Sequence, residues 1–70
     1  MVNTKAIKKR MIELGMTNNE LAEAVGRTPQ HVSGVVNGRK PMTLKMAFAI
    51  QEALDIPNSE FDYYFLQGND

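Results

Sequence analysis

Few side chains in this sequence could make or break a bond. The 70 residues hold one histidine, His31, and no cysteine, and the carboxylates are scattered, mostly at helix caps. Catalysis needs titratable groups that converge in a pocket, so an enzyme is not expected. A metal site built on thiolate or imidazole is not expected either, nor a cofactor. What the sequence offers is recognition chemistry. Gln30, His31 and Ser33 carry an amide, an imidazole and a hydroxyl within one short stretch, and each can donate or accept hydrogen bonds. Val32, Val35 and Val36 recur at i, i+3 and i+4, the inward stripe of a helix. Pro29, Gln30, His31, Ser33 and Gly34 are then expected to face outward.

The elements that must position these residues lie between positions 17 and 38. Thr17 and Glu20 have the spacing of a capping box, in which each side chain satisfies a free backbone N–H of the first turn. Leu21, Ala22 and Val25 give this helix an apolar stripe, and Gly26 suits the left-handed residue that ends it. Thr28 can cap the next helix, with Pro29 at its first position, where a missing N–H has no helical partner to lose. Asn37-Gly38 supplies the stop, so the second helix is expected over 29–37. Two short helices joined by so tight a turn must cross steeply.

Around this pair the pattern predicts three more helices. The first runs from a cap at Asn3 or Thr4 to about Leu14, burying Ile7, Met11 and Leu14, with Gly15 after it. Met16 can pack on Leu21 as a hydrophobic staple. The fourth runs from a Thr43 cap through Leu54, with Leu44, Ala47, Phe48, Ile50 and Leu54 forming the centre of the core. The fifth runs from Ser59 to about Leu66, with Phe61, Tyr64 and Phe65 on one face and Tyr63 elsewhere. The expectation is an all-α, single five-helix domain over 1–66 with a frayed tail at 67–70.

Net charge is zero and the sequence pI about 6.6, unlike the basic balance common in nucleic-acid-binding domains. The distribution matters more than the sum. Lys5, Lys8, Lys9 and Arg10 crowd the N-terminus, and between Ala24 and Gln51 lie Arg27, Arg39, Lys40 and Lys45 with no acid. From Glu52 onward there are five acids and no base. Screening over a Debye length of roughly 8 Å lets a phosphate backbone respond to the local basic set. No apolar run approaches the ~20 residues of a membrane span, so a cytoplasmic location is expected.

The series of spacings from Thr17 to Gly38 resembles the helix-turn-helix of the phage Cro/repressor family, the XRE-like class. The fourth-helix pattern T-L-x-x-A-x-x-I-x-x-A-L-x-I matches that family too, except that Asp55 stands where the family usually has glycine. The resemblance covers roughly residues 5–65 and implies a compact lambda-repressor-like fold that places the helix at 29–37 in the DNA major groove. By resemblance, Gln30 matches a base-contacting position, and glutamine can pair bidentately with adenine. His31 and Ser33 match neighbouring contact positions. Asn18, Asn37, Arg39 and Lys40 match backbone-contact positions, and Arg27 and Thr28 are expected backbone contacts as well. The expected protein is a sequence-specific transcriptional regulator of phage or prophage type, acting as a homodimer on a double-stranded operator, with no small-molecule ligand. Phe61, Tyr63 and Tyr64 are the expected dimer or partner surface.

Two further departures thin the reading surface. Arg27 replaces the aliphatic that usually plugs the turn, and must snorkel outward. Gly34 stands where many relatives place a long polar reader, and costs about 1 kcal/mol of helix stability against alanine. A second reading therefore stands beside the first: a modulator, antirepressor or antitoxin-type module that binds another repressor or a toxin, with only weak DNA binding.

Overall fold

The computed structural model describes residues 2–66. The expected tail at 67–70 lies outside them. Five α-helices follow in order: α1 (Thr4–Leu14), α2 (Asn18–Val25), α3 (Pro29–Val36), α4 (Leu44–Ala53) and α5 (Phe61–Phe65), the last entered through a 3₁₀ turn at Asn58–Glu60. No strand occurs among the described residues. The fold is all-α, as the periodicity predicts.

Local chemistry starts and stops the first four helices. The capping box of α2 is complete: Glu20 N–H donates to Thr17 Oγ1 at 3.1 Å, and Thr17 N–H donates to Glu20 Oε1 at 2.9 Å. Thr28 Oγ1 accepts from His31 N–H at 3.2 Å, and Thr43 Oγ1 from Met46 N–H at 3.1 Å. Gly15 and Gly26 end α1 and α2 at φ 67° and 74°, a region that costs side-chain-bearing residues dearly. Beyond each glycine the next N–H reaches back to the last turn, Met16 to Met11 O and Arg27 to Ala22 O. Those bonds form the Schellman closure.

Asn3, rather than Thr4, caps α1. Its Oδ1 accepts from Ala6 N–H at 3.2 Å, its Nδ2 donates to Tyr63 O at 3.3 Å, and its own N–H donates to Tyr64 O at 2.9 Å. The residue is buried, and it ties the start of α1 to α5.

The core is built from Ile7 and Met11 of α1, Leu21 and Ala22 of α2, Val32, Val35 and Val36 of α3, and Met46, Ala47 and Ile50 of α4, closed by Leu54, Ile56 and Phe65. Met16 packs against it as the staple predicts. Three expected core residues are not in it. Leu44 and Phe48 are 64% and 53% exposed. The buried stripe of α4 runs through Met46, Ala47, Ile50 and Leu54, which turns the 44–48 edge outward. Leu14 continues the α1 stripe but occupies the last turn, and remains 42% exposed.

The end of α4 carries a load that the sequence conceals. Asp55 adopts φ 54°, the left-handed conformation that glycine usually supplies. Arg10 closes the same end. Its Nε donates to Leu54 O at 2.9 Å and its Nη2 to Asp55 O at 3.2 Å, meeting free carbonyls and the negative end of the helix dipole. Glu13 holds the guanidinium at 3.6 Å. Arg10 of the N-terminal basic run is therefore a strut for the end of α4.

Candidate nucleic-acid interface

The outward face of α3 carries the candidate reading groups. Pro29 and Gln30 are exposed, and His31 and Ser33 half-buried. With Thr28 capping and proline presetting the helical φ at the first position, the start of α3 faces solvent. Gln30 makes no side-chain bond within the described residues that would hold its amide away from a ligand.

Ser33 is more constrained than its neighbours. Asn37 Nδ2 donates to Ser33 O at 2.8 Å and to its Oγ at 3.2 Å, and Arg39 Nη2 approaches the same Oγ at 3.4 Å. Both lone pairs of the hydroxyl thus face protein donors, and only its proton is free. Ser33 can offer a donor to an acceptor and nothing in return. Asn37 serves as the C-cap of α3, with its amide turned back onto that helix.

Gly34 departs from the expected outward exposure: it is buried. Its carbonyl accepts from the N–H groups of both Arg39 and Lys40, at 2.8 and 3.0 Å. The Lys40 stem covers the place where a side chain would begin, its Cγ and Cδ 3.0 Å from an ideal Cβ position. Gly38, at φ 80°, turns the chain back so that this can happen.

The other candidates fall around this face in different ways. Asn18 is exposed at the first position of α2. There its N–H and that of Asn19 are the free donors, since Thr17 occupies that of Glu20. Arg27 is exposed, as expected, with Nη1 folded onto Gly26 O at 3.1 Å. Thr28 and Arg39 are exposed too, and the Thr28 oxygen is committed to the cap.

The aromatic candidates divide. Tyr63 is 53% exposed, whereas Phe61 and Tyr64 are half-buried and packed against the core. Phe61 stacks between Phe48 and Phe65, with ring centroids 5.4 and 4.8 Å away. Tyr63 meets Tyr64 edge-on at 5.3 Å. Burial, reinforced by the Glu60 charge, raises the Tyr64 hydroxyl above its ordinary value, so it stays neutral at physiological pH. Beside Phe61 opens a groove of about 550 Å³ whose apolar lining includes Met42, Leu44 and Leu66. The sequence pointed to the segment but not to Leu44 and Phe48, which it placed in the core.

A family description, helix-turn-helix, matches residues 7–61, well over half of the chain. The chain belongs to the XRE-type helix-turn-helix family. It is thereby a DNA-binding transcription regulator. No curated protein and no solved structure matches it. In this helix-turn-helix protein α2 and α3 are the pair that gives the family its name. Among the described residues no helix is long and apolar enough to cross a membrane.

Proposed function

We propose that this helix-turn-helix protein binds a specific operator as a homodimer, in the manner of the small phage and prophage repressors. In this reading α3 enters the major groove with Gln30 and His31 against base edges, and Ser33 donates its proton to an acceptor. Asn18, Arg27, Thr28 and Arg39 hold the phosphate backbone on either side, while Asn37, its donors engaged by Ser33, closes the end of α3. The observation that carries the reading is the start of α3: a capped first turn led by proline, with an unengaged amide at Gln30.

A pair of α3 helices must lie about one helical turn, ~34 Å, apart to meet successive major grooves. The molecule measures 25 × 23 × 20 Å, so two copies must sit side by side and touch at a face flanking α3. The apolar groove does flank it, since Val35, Gly38 and Lys40 line it together with Leu44, Phe61 and Leu66. Leu44, Phe48 and Phe61 are therefore the proposed dimer contact, with Tyr63 and Tyr64 at its margin.

The test is selection from a random duplex library with the purified protein, followed by footprinting. An inverted repeat with half-sites one turn apart is the expected result. Equal, weak retention of all sequences would overturn this reading, and capture of a neighbouring repressor or toxin would then support the modulator alternative.

A further inference from the structure

Gly34 lies one turn beyond Gln30 and one turn before Asn37, so the three share the α3 face opposite Val32, Val35 and Val36. A residue placed there would project straight at the groove that Gln30 reads. Glycine projects nothing, yet the spot is not vacant. The chain turns back at Gly38, the N–H groups of Arg39 and Lys40 both dock on the Gly34 carbonyl, and the Lys40 stem runs across Gly34. Its Cγ, Cδ and Cε come within 3.0, 3.0 and 3.3 Å of the ideal Cβ position. The ammonium is one bond further on, and Lys40 is exposed.

We infer that Lys40 acts as the missing side chain of position 34: a base-reading group on the outward face of α3, with Gly34 as the positioning residue that makes room for it. This rests on the DNA-reading assignment above and moves Lys40 from the phosphate backbone to a base edge. A lysine ammonium has donors only, and the major-groove edge richest in acceptors is guanine, with O6 and N7 together. The expected target is a G·C pair on the Asn37 side of the pair that Gln30 reads. Arg39 differs, because its guanidinium is drawn aside toward Ser33 Oγ.

The experiment compares the wild type, Lys40→Ala, Gly34→Ala and the double variant on the random duplex library. The selected duplex and a scrambled duplex of the same composition are then titrated. Circular dichroism checks that each variant folds, and neither change removes a core side chain. Lys40→Ala is expected to abolish a preference of roughly tenfold for G·C at one position of each half-site, while binding to the scrambled duplex falls far less. Gly34→Ala would place a Cβ against the stem, and is expected to relax the same position. The double variant is expected to lose nothing beyond Lys40→Ala.

A Lys40→Ala variant that keeps every base preference, and weakens both duplexes equally, would make Lys40 a phosphate contact and overturn the inference. Relaxation by Lys40→Ala but not by Gly34→Ala would overturn the role given to Gly34. A wild type that selects no sequence would overturn the DNA-reading assignment itself, and this inference with it.

Discussion

The Gln30 amide carries one part of the sequence discrimination proposed for α3, beside His31 and Ser33. Gln30 is exposed on a capped first turn, and a bidentate pair with adenine is worth about 1–3 kcal/mol against a wrong base. Gln30→Ala is expected to lose that much on the selected duplex and almost nothing on a scrambled one, read by titration at fixed salt. Equal affinity of variant and wild type on both duplexes would remove α3 as the reader. Asn3 makes an equally concentrated contribution to stability. Its side chain accepts from Ala6 N–H and donates to Tyr63 O while buried. Truncation removes an N-cap, worth about 1 kcal/mol, and leaves a buried N–H and a carbonyl short of partners. Asn3→Ala is expected to cost about 2 kcal/mol in urea denaturation. Asn3→Ser, which keeps a capping oxygen but cannot reach α5, is expected to fall between the two. A loss below about 0.5 kcal/mol would show that Thr4 takes over the cap.

At the scale of elements, the end of α4 is where the sequence and the fold pull against each other. Asp55 at φ 54° holds a conformation that costs a side-chain-bearing residue of order 1–2 kcal/mol, less for aspartate. Arg10 offsets this by bonding the Leu54 and Asp55 carbonyls. Since those bonds are to the backbone, Asp55→Gly keeps them and removes the strain. It is expected to add somewhat under 1 kcal/mol and raise the melting temperature by a few degrees. A lower melting temperature would mean that the Asp55 side chain itself stabilises the turn. Such local devices were readable where the chemistry lies within four residues. The Thr17–Glu20 box, the Thr28 and Thr43 caps and the glycine stops could all be read, and with them the helix-turn-helix. What the sequence concealed depends on segments far apart. Arg10 meets a carbonyl 44 residues away, and Asn3 one 60 residues away. Periodicity finds the apolar residues of α4 but cannot tell which edge of the stripe another helix will cover, so it assigned Leu44 and Phe48 to the core. Nor does helical spacing reveal that a returning loop covers Gly34.

For the whole molecule, zero net charge makes dimerisation more consequential than it would be for a strongly basic protein. The phosphate term that dominates non-specific binding grows with the number of cations brought to the backbone. One copy brings few: Arg27 and Arg39 around α3, against an acidic stretch from Glu52 onward. A two-fold pair doubles that set on one continuous duplex, and the second copy binds at the high effective concentration set by the first. Leu44 tests this directly. It is 64% exposed, so Leu44→Glu should leave the isolated fold intact, but would force a carboxylate into the proposed apolar contact, where unpaired charge is costly. The expected outcome is a dimer of wild type and a 7.8 kDa monomer of the variant in sedimentation at micromolar concentration, with matching circular dichroism spectra. On the selected inverted repeat, the variant should bind each half-site independently, and its salt dependence should fall toward half the wild-type slope. A variant that remains dimeric would move the contact to the Tyr63 side of α5. A wild type that is monomeric both free and on DNA would mean that one α3 and its few cations must supply all the affinity.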